Sequence, residues 1–280
     1  VGTAPGGEIG GISAPLNWQY VYTLNKAADM EAALGEHELA KRARRLAGES
    51  ASALDTQYWS EAKGLYADDL QQTVFTEHSQ CLAVLGGNIP DEHRERIARN
   101  LFSTAGMTPP TVYFMHYFFE TCRELERMDI FMERMRFWFE MSDYDFKTTY
   151  EMGDPHQVRS DCHAWGAHPL YHYFASMLGI RPAEAGFGRV EVRPQLAGLT
   201  RASGAIPHPR GTIAAEFEVV EGALRGWVSL PEGTRGELVS QGKTIRLAAG
   251  RNRIDGREEG EKAVFSGSAR GLVQNNEEQS

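Results

Sequence analysis

The chain has 280 residues, 41% of them hydrophobic and 24% charged, and its uninterrupted apolar runs are too short for a membrane-spanning helix. Lys and Arg number 29 against 38 Asp and Glu, a net charge of −9 that argues against nucleic acid as a partner, because phosphate backbones are bound by basic clusters. The charge is uneven, with 16 basic and 26 acidic side chains in residues 1–185 against 13 and 12 in residues 186–280, so two units of different character are expected. All ten Tyr, four of the five Trp and eight of the nine His lie in the first unit, a composition that suits a polar, flat-faced ligand such as a sugar.

The opening VGTAPGGEIGG has neither the charged nor the apolar region of a signal peptide. Ser13, Ala14 and Pro15 then mark a helix start, with Ser as N-cap, and a helix to about Leu34 follows. Gly35 separates it from a second helix over 36–54, completing a helical hairpin. Residues 58–69 read as a structured loop with short extended pieces. A second helix pair over 76–85 and 92–102 flanks a Gly-Gly-Asn-Ile-Pro break, with Asp91 as N-cap. A third pair over 111–127 and 130–141 is so rich in Phe, Tyr, Met and Trp that burial on more than one side is expected. A last helix over 161–178 ends at Gly179, with Pro169 kinking it or marking its true start.

From Gly186 the pattern changes to short strands over 189–192, 212–220, 224–230, 237–239 and 243–247, separated by Gly- and Pro-containing turns, which reads as a β-sandwich. Ile213, Ala215, Phe217 and Val219 alternate as its inward face. The polar end, residues 273–280, reads as a disordered tail. Cys81, Cys122 and Cys162 are odd in number and widely spaced, against a disulfide framework or a CxxC knuckle.

The runs Thr148-Thr149-Tyr150-Glu151-Met152-Gly153-Asp154-Pro155, Ser160-Asp161-Cys162-His163-Ala164-Trp165-Gly166, Gly179-Ile180-Arg181-Pro182 and Val190-Glu191-Val192-Arg193-Pro194 together resemble, in this order, the C-terminal part of bacterial α-L-rhamnosidases of glycoside hydrolase family 78. The resemblance implies part of an (α/α)6 six-hairpin barrel over residues 1–185 and an antiparallel β-sandwich over 186–272. It also implies an inverting hydrolase of terminal α-L-rhamnosides that needs no cofactor. About three and a half hairpins are present where the family has six, so the resemblance further implies a fragment whose general acid lies upstream. It leaves localisation open between bacterial cytoplasm and periplasm, and oligomeric state undetermined.

In the family, the Glu of a similar Thr-x-Trp-Glu motif activates water, which assigns Glu151 as general base, with Tyr150 in place of the usual Trp. His163 and Trp165 follow as sugar contacts, although the family's His falls one position earlier relative to the Gly. His78 and Trp59 sit at loop–helix junctions that line a barrel mouth and are the further substrate-contact candidates. Asp161 reads as a helix N-cap. Tyr113, His116 and Tyr117 share a helical face that could line a barrel lumen, with a buried aromatic core as the favoured reading. No metal site is expected: His168 and His172 stand four apart, but a zinc site needs a third ligand, no HExxH is present, and Pro169 disturbs the geometry. Asp143, Asp145 and Asp154 lack calcium-loop spacing. The rival readings are another six-hairpin exo-glycosidase, a lyase, which the acidic first unit disfavours, and a non-catalytic carbohydrate-binding scaffold.

Overall fold

The computed structural model describes residues 13–154 and 156–255. The expected polar tail and the expected end of the sandwich, up to residue 272, lie outside the described residues. Helices α1 (Ala14–Ala33) and α2 (His37–Tyr58) form the first hairpin. Ser13 and Pro15 start α1 where the sequence places its start, and α2 runs one turn further than its pattern suggests. The buried face of α2 is largely Ala40, Ala47 and Ala51, small side chains that let its backbone approach α1 closely. The buried stripe of α1 is Trp18, Val21 and Ala28, and the Trp18 ring lies 4.8 Å from that of Tyr66.

Strands β1 (Trp59–Ser60) and β2 (Leu65–Tyr66) pair in the following loop and lead to α3 (Glu77–Gly86). Gln80 of α3 both donates to Tyr66 O (2.6 Å) and accepts from Tyr66 N–H (2.9 Å), so its amide continues the hydrogen bonding of β2. Helices α4 (Asp91–Asn100), α5 (Met115–Glu124) and α6 (Met128–Phe139) follow. Pro90, not Asp91, is the N-cap of α4, and Asp91 instead opens its first turn, where a carboxylate favours the positive helix end. Helix α3 packs between α1 and α5, and nearly all its residues are buried. Helix α5 is buried broadly, whereas α6 buries one stripe of Met128, Phe131 and Met135, so two-sided burial holds for α5 alone.

The helix expected over 161–178 does not form as one piece. Residues 161–163 are irregular, Ala164–Ala167 is a 3-10 turn, α7 is only Pro169–His172, and Tyr173–Met177 is a π-helical turn. Pro169 takes the first position of α7, where its missing N–H costs nothing. Asp161 therefore caps no helix; its carbonyl instead accepts a hydrogen bond from Thr148 Oγ1.

Eight strands follow in two sheets: β3 (Ile180–Pro182), β4 (Arg189–Val192), β8 (Arg235–Ser240) and β9 (Lys243–Leu247), in the order β3-β4-β8-β9; and β5 (Arg201–His208), β6 (Gly211–Val220), β7 (Ala223–Leu230) and β10 (Gly250–Ile254), in the order β10-β7-β6-β5. All pairings are antiparallel except β4 with β8, which is parallel. One hydrophobic cluster draws on both sheets, including Ile180, Val190, Val192 and Leu238 from one and Ile213, Phe217, Val228 and Ile254 from the other. Val219 is the exception to the expected inward face: it is exposed at the lip of a cleft, near the end of β6. The helical core is a separate cluster that extends to Met177.

Buried charges join the two cores through α5. Arg181 of β3 makes two 2.8 Å hydrogen bonds to Glu120, and Arg123 donates to Glu191 of β4 at 3.1 Å. No helix among the described residues is long and apolar enough to cross a membrane. Cys81 and Cys122 are buried thiols, and Cys162 is exposed and free.

Asp68, fully buried at the end of the β2 loop, accepts from Ser79 Oγ (2.6 Å) and Thr76 Oγ1 (3.2 Å), tying the loop to the start of α3. Burial outweighs these bonds and raises its carboxyl to about 6. The unfolded group titrates near about 3.9, so between roughly pH 4 and 6 the folded chain holds a proton that the unfolded chain has lost. This contribution to stability is complete below that window and is lost as pH rises through it. Urea unfolding at several pH values is expected to show a smaller loss of stability from pH 4 to 7 in Asp68→Asn than in the native chain. Equal losses would mean that the carboxylate ionises without penalty.

Candidate functional site

The motif segment and the run after it fold against each other. Glu151 N–H donates to Ser160 O (3.0 Å) and His163 N–H to Thr149 O (2.8 Å), which sets 148–151 beside 160–163. Tyr150 anchors the inner side: it is buried, with its ring 5.4 Å from Phe137 of α6 and 4.4 Å from Phe146. Trp138 Nε1 donates to Gly166 O at 2.7 Å, fastening the far end of the turn to the same helix. Gly166 is required by close approach, because a Cβ there would lie 2.9 Å from Tyr150 O and 3.1 Å from Thr149 Cβ.

This scaffold brings Glu151, His163 and Trp165 together. The Glu151 side chain is only 6% exposed, and its Oε1 accepts from the guanidinium of Arg159, which is itself largely solvent-exposed. Trp165 Nε1 donates to Glu151 O (3.3 Å), its ring lies 4.1 Å from that of His163, and Tyr113, at the approach to α5, packs edge-on to it at 5.6 Å. Trp165 and Tyr113 are both substantially exposed, so an open aromatic surface adjoins the Glu151 backbone. Tyr113 is thus not a core residue, contrary to the expectation from its helical face.

His78 and Trp59 are placed differently. His78 is buried on α3 with its ring 4.2 Å from Phe114, and burial lowers it to about 4. Its Nδ1 is buried without a hydrogen-bond partner, and Phe114 in turn contacts Tyr117, which reaches Tyr113. His78 therefore connects to the Glu151 cluster through a relay of rings. Trp59 belongs to another cluster, stacked on His93 at 3.7 Å with Arg96 also over its ring and its Nε1 donating to Glu61 (2.8 Å).

Arg159 is not singled out by the sequence pattern, and Tyr113 stands out there only for the helical face it shares with His116 and Tyr117. The one signal for Arg159 is a basic residue at the far side of the loop that follows the Glu. A cleft of about 790 Å3 lies elsewhere, between the α5–α6 turn and the sheets, lined by Glu126, Arg193, Leu196, Val219 and Gln241 among others. It contains none of these candidates and no aromatic side chain, and its two carboxylates, Glu126 and Asp129, pair with Arg193 and Arg127.

Residues 179–254 match the family model of the bacterial α-L-rhamnosidase C-terminal domain. The GH78 rhamnosidase of Bacillus sp. GL1 is 25% identical with a TM-score of 0.68, over 78% of this chain and 25% of that one. The chain resembles the GH78 rhamnosidases. The Streptomyces avermitilis α-L-rhamnosidase complexed with L-rhamnose is 17% identical with a TM-score of 0.64, over 85% of this chain and 26% of that one. The α-L-rhamnosidase from Dictyoglumus thermophilum is 14% identical with a TM-score of 0.63, over 84% and 30%. The chain thus spans about a quarter to a third of the length of these rhamnosidases, and at the lower identities the likeness is one of fold. No curated protein matches it in sequence.

Proposed function

We propose that the chain forms part of a glycoside hydrolase that releases terminal α-L-rhamnose with inversion, with Glu151 as general base. The observation that carries this is the 148–163 fold, in which Glu151 pairs with Arg159 through its carboxylate and with the indole of Trp165 through its backbone carbonyl, and Trp165 in turn packs on the imidazole of His163. An inverting reaction needs a carboxylate that takes a proton from water on one face of the sugar, and a carboxylic acid on the other, roughly 6.5–9.5 Å away. Trp165 and Tyr113 offer apolar faces for the ring carbons, and His163 can exchange a hydrogen bond with a sugar hydroxyl. Arg159 holds the carboxylate in place through Oε1.

The general acid is assigned to sequence that the longer rhamnosidases have outside the matched segment. In this reading the hairpins α1–α2, α3–α4 and α5–α6 are an arc of a six-hairpin barrel, with α1, α3 and α5 on its inner side, and the two sheets are the sandwich that follows it. The barrel portion is taken as residues 1–185 and the sandwich as 186–272, and the change of hydrophobic cluster after Met177 supports a division in this region. The chemistry requires no cofactor.

A panel of nitrophenyl glycosides, assayed with the full-length gene product, tests the reading. Hydrolysis of the α-L-rhamnoside well above all other sugars is expected, and proton NMR of the first-formed sugar should show the inverted anomer. Preference for another sugar would favour a different six-hairpin exo-glycosidase, and a retained anomer would remove the inverting assignment.

A further inference from the structure

A second constellation lies outside the Glu151 cluster. His116 of α5 converges on His168 and His172, and one ring nitrogen from each lies within 4.8 Å of the other two. The third ligand that the sequence pair lacked is therefore present. Pro169 does not disturb the pair, because it begins α7 and leaves His168 at the N-cap. We propose that His116 Nδ1, His168 Nδ1 and His172 Nε2 form a binding site for a divalent transition-metal ion, zinc being the best fit.

The hydrogen bonds around the rings favour this assignment. His168 Nε2 is 3.0 Å from Val112 O, a group that only accepts, so Nε2 carries the proton and Nδ1 carries the lone pair. That Nδ1 is buried and has no hydrogen-bond partner, a condition that costs free energy unless something occupies it. His172 Nδ1 lies 2.9 Å from Ser176 Oγ, which lets it donate there and leaves Nε2 facing His116 Nδ1 at 3.1 Å. Between those two nitrogens one proton is shared when no ion is bound. An ion takes its place, and the ring that gave it up carries its proton on its other nitrogen.

Tetrahedral zinc with bonds of about 2.0–2.1 Å needs ligand nitrogens about 3.4 Å apart, so small side-chain shifts complete the site. Burial favours the neutral form of all three rings. A carbonyl and a hydroxyl orienting the outer nitrogens are the partners that metal-bound imidazoles ordinarily have. Beyond them Glu120, 3.9 Å from His172 Nδ1 and paired with Arg181, adds a carboxylate to the outer shell. Tyr171 packs against His116 and His172 and is half exposed, and His116 and His168 are only partly buried, so the cluster lies near solvent. The π-helical turn that begins just after His172 is a backbone form concentrated at functional sites.

The test uses the untagged full-length protein, stripped with a chelator and titrated with zinc chloride by calorimetry, then with cobalt chloride by visible absorption. One zinc per chain is expected, together with the intense cobalt bands of four-coordination and a melting temperature raised by about 5 °C at hundredfold excess over Kd. His116→Gln and His168→Gln, both at half-buried positions, should each weaken zinc at least about 100-fold, since loss of outer partners alone costs 10–100-fold. Absence of binding by the native protein, weak six-coordinate cobalt bands, or unchanged affinity in either folded variant would overturn the proposal.

Discussion

Glu151→Gln is expected to lower kcat by about 10³-fold in the full-length gene product, with KM little changed. The amide keeps the volume and one oxygen of the carboxylate but cannot accept the proton of the attacking water, and that transfer belongs to the transition state rather than to substrate binding. Because the side chain is only 6% exposed and tied to Arg159, Gln should keep the local fold. Trp165→Ala should instead raise KM, since the indole contributes contact to the bound sugar in both states. Near-native turnover in Glu151→Gln would remove this residue from the mechanism and leave the rhamnosidase-like fold without its proposed base.

The largest effect on stability is expected from Gly179→Ala. Gly179 has φ +71°, in the left-handed region, and a Cβ there would lie 2.0 Å from Arg193 O. The carbonyl cannot retreat, because Arg193 N–H donates to Gly179 O and Gln195 N–H to Met177 O, both at 2.9 Å. The substitution must open the junction between the π-helical turn and β3–β4, and a loss of more than about 4 kcal/mol is expected, a fall in melting temperature on the order of 10 °C. Gly35→Ala is the control: it shares the positive φ but meets nothing within 4 Å, so it isolates backbone strain of about 1–2 kcal/mol. Equal losses in the two variants would mean that the close approach at Gly179 relaxes freely.

Elements with strong local signals were legible in the sequence. The start of α1 at Ser13 and Pro15 needs only neighbouring residues to specify it, and β4 and β9 span the residues that their sequence runs suggest. Strand β5 was not legible, because Gly204 and Pro207 read as turn residues. Both have tertiary reasons: a Cβ at Gly204 would lie 2.8 Å from Leu178 and Phe174, and Pro207 sits on a sheet edge, where no ladder bond is lost. Strand β10 has one fully buried residue, Ile254, too little for a periodic signal. The unbroken helix expected over 161–178 failed because Gly166 is fixed by contact with Thr149 and Tyr150, far back in the chain.

The candidate site divides in the same way. The neighbourhood of Glu151, His163 and Trp165 followed from motif order, since a short loop returns the chain on itself. Arg159 depends on how that loop closes. His116 reaches His168 and His172 only when α5 packs on the π-helical turn, a contact no local pattern encodes. Trp59 shows the same limit: its position at a loop–helix junction is apparent in sequence, whereas its stacking on His93 arises from α4.

The parallel pairing of β4 with β8 constrains the order in which the chain can assemble. Arg189 meets Arg235, and the whole β5–β6–β7 meander of the opposite sheet is threaded between them. The helical hairpins and the meander close short loops and can form early, whereas β4 gains its second neighbour only after the chain has crossed to the other sheet and returned. Until β8 arrives, Val190 and Val192 have β3 on one side and an open edge on the other. A growing chain that stalls before residue 235 therefore presents a short valine-bearing edge of the kind that invites strand exchange between copies.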